Sequence, residues 1–349
     1  MRIPFRFFPR LLSEATHDPR SVGLDAMAYQ QGWTGFERRP DVDRPALAAV
    51  LRRVLGPGLR VARTPAGVAA QVYRVQAAER VVYVRIAEDD HEDLSVDAAL
   101  LEQLRGEGLH VPAVVHVEPF DQDLGRSVLI MGAIAGEPLA RCRDARTARR
   151  VARSAGRELA VLNGVGVAGF GWVRRRAPVW PLRAMFRDYG EFVVSYLPDP
   201  WPGPLAALFP ASELDRLWEL VASERRRELG GAWLAHGDFD TSPIFQAEGR
   251  YTGLIDFGEI RGTEPLFDLG HFLLQEQERT PIPLVGDLVA GYGEVVDLPA
   301  GHEELIRRSA ILLGLRQLAR WLGPFRNLPS DHPAATGRAA RLRQLLVAS

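Results

Sequence analysis

Apolar and polar positions change their period several times along this chain. Residues 1–40 carry no sustained pattern and read as an irregular extension. Pro45-Ala-Leu-Ala-Ala-Val-Leu-Arg-Arg-Val-Leu55 then has helical spacing and is stopped by Gly56-Pro57-Gly58. Residues 59–63, 70–77 and 80–87 are rich in β-branched side chains and separated by short turns, which predicts antiparallel strands. Helical spacing returns at 94–107, and strand character at 113–118 and 126–132. From Ala140 onward the pattern is helical, at 144–163, 181–197, 211–228, 265–279 and 302–322, interrupted only by strands around 244–257. The expected fold is α+β, with a small antiparallel-sheet lobe over 41–135 and a larger, mainly helical lobe over 136–349.

Composition narrows the partners. A chain of 349 residues exceeds what one hydrophobic core usually serves, and 46% hydrophobic with 25% charged residues suits a globular protein. A net charge of −1 argues against a nucleic-acid binder with a global basic field. The single cysteine, Cys142, rules out an internal disulfide and fits a reducing compartment, so the cytoplasm is the expected location. No window approaches the ~20 apolar residues of a membrane span. Met1 to Arg10 mixes Arg2, Arg6 and Arg10 with Phe5, Phe7 and Phe8, but Pro4, Arg6 and Pro9 break the apolar run that a signal peptide needs, and a peripheral arm is the better reading. All 43 basic residues among Lys and Arg are arginine.

Two short segments concentrate the chemistry: Leu234-Ala-His-Gly-Asp-Phe-Asp-Thr-Ser-Pro-Ile-Phe245 and Gly253-Leu-Ile-Asp-Phe-Gly258, with a hairpin expected between Asp238 and Asp256. They resemble the catalytic and metal-binding loops of kinases. More specifically, His236-Gly-Asp238, Ile255-Asp-Phe-Gly258 and Phe267-Asp-Leu269 resemble the signature of the aminoglycoside phosphotransferase family. Further matches are Tyr73-Arg-Val75, Val81 to Ile86, Asp97 to Leu104, Leu129-Ile-Met131 and Gly136-Glu-Pro-Leu139, so the resemblance runs from about residue 60 to 320.

That resemblance implies a bilobal protein-kinase-like fold that uses ATP (or GTP) with Mg²⁺ and moves the γ-phosphoryl group to a hydroxyl of a small molecule, an aminoglycoside-like antibiotic or a metabolite. By position, Asp238 would orient or deprotonate the acceptor hydroxyl and Asp256 would hold the metal. Arg85, braced by Asp97, would clamp the phosphates. Gly67 lies in the phosphate-covering loop, and Met131, Gly132 and Ile134 form the adenine-side hinge. His236 and Asp268 would support the catalytic loop, while Glu259, Glu276 and Glu278 stand where the family faces amine-bearing acceptors.

Four positions depart from the family pattern. Pro243 replaces the Asn that supplies a second metal ligand, leaving Asp240, Ser242 or water to complete the shell. Arg85 replaces a lysine, Asp97 a glutamate, and the loop at Thr64 to Ala70 holds one glycine. Arg reaches about 1.5 Å further than Lys while Asp is one methylene shorter than Glu, so the summed reach of the pair is nearly conserved. The alternative reading is a degenerate kinase-like protein that binds a nucleotide or small molecule without transfer.

Other motifs carry less. Gly164-Val-Gly-Val-Ala-Gly169 matches a dinucleotide fingerprint but follows a helical run, and a glycine-terminated helix leading into a loop fits better. His236, Asp238, Asp256 and His271 match no common hydrolase spacing. Cys142 has no nucleophile motif around it.

Overall fold

The computed structural model describes residues 40–64, 71–78, 80–195, 197, 203–276, 278–323 and 326–347. The extension at 1–39 and the loop bearing Gly67 therefore lie outside the described residues. Helix α1 (Arg44–Leu55) begins where the Asp43 carboxylate accepts the Ala46 N–H, with Pro45 in its first turn, and ends at Gly56. Strands β1 (Arg60–Arg63), β2 (Gln71–Ala77), β3 (Arg80–Ile86), β4 (Val114–Asp121) and β5 (Arg126–Gly132) form an antiparallel sheet in the order β1-β2-β3-β5-β4, with helix α2 (Ser95–Gly106) between β3 and β4.

Strand alternation decides what each face of this sheet does. Val82, Val84 and Ile86 on β3 and Val128 and Ile130 on β5 pack with Leu47, Val50 and Leu51 of α1. Arg85 and Leu129, opposite each other in the β3–β5 register, fall on the other face, where Leu129 joins the core that also holds Leu100, Leu101 and Leu104 of α2. This second core continues into the larger lobe, so the lobes share apolar contacts beneath the cleft.

After the two-residue strand β6 (Glu137–Pro138), α3 (Ala145–Leu162) runs through the large lobe, capped by the Asp144 carboxylate on the Thr147 N–H. Strands β7 (Gly166–Ala168), β8 (Phe170–Val173) and β9 (Leu182–Phe186) follow, then α4 (Tyr189–Val194), α5 (Ala211–Arg225), β10 (Ala232–Ala235), β11 (Ile244–Ala247), β12 (Arg250–Leu254) and β13 (Arg261–Thr263). Helices α6 (Phe267–Gln275), α7 (Val285–Tyr292), α8 (His302–Leu322) and α9 (Pro333–Val347) complete the lobe. The fold is the expected bilobal one, a small antiparallel-sheet lobe beside a helical lobe.

Several local expectations fail. Strands β10, β13, β8, β9 and β7 close into a small barrel, so the large lobe holds more sheet than the segment around 244–257. The helix expected over 181–197 is β9 followed by a short helix that starts only where the Asp188 carboxylate accepts the Glu191 N–H. The glycine-rich 164–169 stretch does end a helix, but it leads into β7 and β8 rather than a loop. Helix α7 was not legible because it rests on one glycine of its own and one of α3: a Cβ at Gly291 would lie 1.9 Å from the Arg153 carbonyl oxygen, and one at Gly156 of α3 would lie 2.1 Å from that of Leu288. The α3–α7 crossing is too close for side chains at those positions.

Candidate active site

Strand β10 delivers the chain into the loop at 236–243, whose shape is imposed from beneath. Asp268, at the start of α6 and fully buried, accepts the His236 N–H through Oδ2 (2.8 Å) and the Gly237 N–H through Oδ1 (2.9 Å). Asn163, just past α3, donates its side-chain amide to Asp268 Oδ2 (2.9 Å) and to the Leu234 carbonyl (2.8 Å). His236 is also fully buried and donates Nε2–H to the Ile255 carbonyl (2.8 Å), its ring set edgewise on Phe239 and tilted on Phe257. That bond ties the 236–243 loop to the strand before Asp256. Gly237 has φ 88°, and a Cβ there would fall 1.9 Å from the Glu259 carbonyl oxygen, so only glycine lets the two loops meet.

Asp238 emerges from this framework with its side chain 59% exposed. The bulk of protein around its carboxyl pushes its pKa above the ordinary value; Glu259 and Asp240 reinforce the rise, while His271 and His236 oppose it. His271 places Nε2 3.5 Å from Asp238 Oδ1 and donates Nδ1–H to the Phe239 carbonyl (3.0 Å), which fixes the ring.

Asp256 is exposed and sits in the left-handed region (φ 68°, ψ 62°) at the head of a 3₁₀ turn, Phe257–Glu259. Among the described residues no hydrogen-bond donor engages its carboxylate. Arg85 lies close by: a Cβ built on Gly258 would be 3.4 Å from Asp256 Oδ1 and 3.9 Å from both terminal nitrogens of Arg85. Mg²⁺ keeps several waters and takes one or two carboxylates plus substrate phosphates, so an exposed, undonated carboxylate beside a phosphate-sized cation suits it. No group of three or more His, Cys, Asp or Glu side chains among the described residues could hold a metal alone.

Arg85 and Asp97 do meet. Arg85 Nη1 donates to Asp97 Oδ1 (3.1 Å) and Nη2 to Glu92 Oε1 (3.3 Å), with Arg85 8% and Asp97 2% exposed. Burial opposes both charges, yet Arg175 and Arg85 together hold the Asp97 carboxyl below its ordinary value. Arg175, absent from the sequence reading, chelates Asp97 through Nε (2.7 Å) and Nη2 (3.1 Å) and also donates Nη2–H to the carbonyls of Phe257 (3.1 Å) and Gly258 (2.8 Å). Nothing in the run Arg174-Arg175-Arg176 marks which arginine turns inward. On the hinge side, Met131 pairs with Tyr83 and Val114, the Gly132 N–H donates to the Ala113 carbonyl, and the Ile134 side chain lies over Gly253 of β12.

The three glutamates separate. Glu259 borders the cleft, accepts from Trp172 Nε1 (3.0 Å) and pairs with Arg261 (2.7 Å). Burial favours its neutral form, but Arg261, Trp172 and Arg320 hold its carboxyl below the usual value. Glu276 instead accepts the Leu284 and Val285 N–H groups (3.0 and 2.9 Å), which caps α7, and Glu278 pairs with Arg338 of α9 (2.9 Å). Those two carboxylates hold helices together, because the chain leaves α6 at Gln275 before reaching them. Asp240 is likewise taken: Oδ1 accepts the Ser242 N–H (2.5 Å) and Oδ2 accepts from Arg279 Nε (2.6 Å). The Ser242 hydroxyl makes no hydrogen bond among the described residues.

A family model described as "Phosphotransferase enzyme family" matches residues 60–305. The chain belongs to that family. Among solved structures it is similar to a thermostable mutant of aminoglycoside phosphotransferase APH(4)-Ia in complex with ADP and hygromycin B, with 14% identity, TM-score 0.63, and coverage of 87% of this chain and 99% of that one. It is similar also to the GDP and kanamycin complex of APH(2")-IIIa (15%, TM-score 0.59, 87% and 99%) and to a proposed fructosamine-3-kinase from Haemophilus somnus (13%, TM-score 0.54, 86% and 96%). At such identities the likeness establishes the fold. No curated protein matches. Among the described residues no helix is long and apolar enough to cross a membrane.

Proposed function

We propose that this phosphotransferase moves the γ-phosphoryl group of ATP or GTP to a hydroxyl of a small molecule that is not a polycation. The reading is carried by one observation: Asp238 and Asp256 are both exposed at the ends of adjoining loops whose backbones are locked by Asp268 and His236. Asp238 would accept a hydrogen bond from the acceptor hydroxyl and take its proton as the oxygen attacks, and its raised pKa suits that exchange. Asp256 would be the protein ligand of a Mg²⁺ bound with the nucleotide, with water or the Ser242 hydroxyl in place of the missing asparagine, and that ion would supply neutralising charge to the phosphates. Arg85 would face the phosphates from the other side, and the backbone at Met131 to Ile134 would meet the base.

The acceptor's charge follows from the acids nearest Asp238. Glu259 is matched by Arg261, and Asp240 by Arg279. Each of these carboxylates is neutralised by an arginine partner, Glu259 through Oε2 alone, which lowers the negative charge facing an acceptor and favours a neutral or acidic hydroxyl compound over a polycation. The test is a thermal-shift titration with ATP and GTP, with and without Mg²⁺, followed by nucleotide-consumption assays over sugars, hydroxy acids, amino alcohols, macrolides and aminoglycosides. Magnesium-dependent stabilisation and turnover on a neutral or acidic acceptor are expected. Nucleotide binding without turnover on any acceptor would favour the degenerate binder, and a higher kcat/KM on aminoglycosides would overturn the charge argument.

A further inference from the structure

Arg175 stands at a junction that the phosphate clamp and the metal loop share. It follows β8 of the large lobe, yet its carbonyl accepts the Asp93 N–H of the small lobe (2.7 Å), so main chain and side chain both reach across. Its guanidinium lies 2.7–3.1 Å from both oxygens of Asp97, in the first turn of α2, and from the two carbonyls that follow Asp256. The group is 7% exposed. Carbonyls of consecutive residues converging on one cation fix the turn that holds Asp256 in its left-handed conformation. A single ammonium could not do this, because chelating a carboxylate while spanning two carbonyls needs the planar fork of arginine.

We propose that Arg175 is the positioning residue that sets the metal loop against the small lobe, fixing where Asp256 meets the metal–nucleotide. This rests on the phosphotransferase reading above and adds to it a division of charge. Asp97 is shared by two guanidiniums, so it neutralises Arg85 less completely than an exclusive partner would, and Glu92, 3.3 Å from Arg85 and 3.5 Å from Arg175, makes up part of the balance. Arg85 thereby keeps positive charge for phosphate, while the charge of Arg175 is committed to the loop.

Arg175→Gln and Arg175→Lys test the assignment by two readouts. In the unliganded protein, amide hydrogen exchange at 256–260 should accelerate about tenfold or more in Arg175→Gln and by less in Arg175→Lys. In nucleotide titrations, the magnesium concentration giving half of the affinity gain should rise severalfold in the same order, and kcat should fall with little change in KM for the acceptor. Unchanged exchange at 256–260 in folded Arg175→Gln overturns the proposal whether or not an acceptor is found. So does a variant whose melting temperature falls while its magnesium requirement stays at the wild-type value, since that marks a purely structural ion pair. Should Arg175→Gln fail to fold, the exchange and magnesium readouts of Arg175→Lys decide alone. A wild type that binds no nucleotide would refute the phosphotransferase reading and leave the exchange result to judge Arg175.

Discussion

Asp97 and Asp238 are the same side chain in opposite circumstances. Asp97 is buried between two guanidiniums and its carboxyl is held low; Asp238 opens onto the cleft among other acids and its carboxyl is pushed up. A paired, buried charge fixes geometry and has no capacity left for a substrate. A carboxylate whose ionised form is disfavoured first by the protein around it and then by neighbouring acids is costly to the fold, and that cost would leave it able to take a proton. Asp97 therefore serves alignment, while Asp238, on the proposed reading, serves chemistry.

Replacing Asp238 should separate the two roles most sharply. Asp238→Asn should lower kcat by a factor on the order of 10²–10⁴ while nucleotide affinity stays nearly unchanged. Because the folded-state pKa of Asp238 is raised, its ionised form weighs against the fold above that value, and stability is regained as the pH falls through it. The asparagine variant should then melt at the same or a higher temperature than wild type at pH 7. Equal turnover on a verified acceptor, or a clear loss of melting temperature, would break the contrast.

Asp97→Asn should behave the opposite way. Removing the carboxylate leaves Arg85 and Arg175 buried without their shared partner, a loss of about 3–5 kcal/mol for a buried ion pair. Since the folded-state pKa of Asp97 is depressed below 3.8, its contribution is complete above that unfolded value and is lost as the pH falls through the folded one. Chemical denaturation at pH 7 and pH 3 checks both parts: the gap between wild type and variant should be wide at neutral pH and narrower in acid.

A smaller effect sharpens the clamp itself. Arg85→Lys should weaken nucleotide binding, and Arg85→Lys with Asp97→Glu should recover part of it, with a coupling of about 0.5–3 kcal/mol for residues in direct contact. The shared Arg175 makes full recovery unexpected, because a glutamate drawn toward the shorter ammonium must also stay chelated by Arg175. Strict additivity in the double-mutant cycle would show that reach is not what pairs Arg85 with Asp97.

How far the chain could be read follows from the range of each signal. Asp238, Asp256 and Asp268 were legible because a loop between strands fixes their spacing locally. Arg85 and Asp97 were legible as a pair because strand and helix are adjacent in sequence. Arg175, Asn163 and Arg279 were not, since each acts on groups far along the chain and none carries a local pattern; the bond from Asn163 to Asp268 spans 105 residues. Charge alone also misled: Glu276 and Glu278 sit near the site in sequence, but their carboxylates hold α7 and α9. The barrel strands failed for a related reason, being three to five residues long and paired mostly with distant partners.

Pro243 gives the smallest and most discriminating prediction. It is buried, its carbonyl accepts the Ile255 N–H (3.0 Å), and having no N–H it leaves no donor to satisfy at that point of the loop. Asn at 243 would restore the side-chain oxygen the family pattern places there, but it would add a buried N–H and remove a constraint on Ser242. Asp240 is held back by a donor on each oxygen, from the Ser242 N–H and from Arg279, whereas the Ser242 hydroxyl makes no hydrogen bond among the described residues, so in an active enzyme the second metal position is expected to fall to Ser242 or water. Pro243→Asn should then change magnesium-dependent turnover by no more than about threefold, under ~1 kcal/mol in the barrier. Ser242→Ala should raise the magnesium requirement in the wild-type background and lose that effect in Pro243→Asn, where the new amide oxygen replaces the hydroxyl. Measuring turnover against magnesium concentration for the two single variants and the double variant decides it. A silent wild type alongside an active Pro243→Asn would mean that the loop kept its carboxylates after losing the ligand that made them useful.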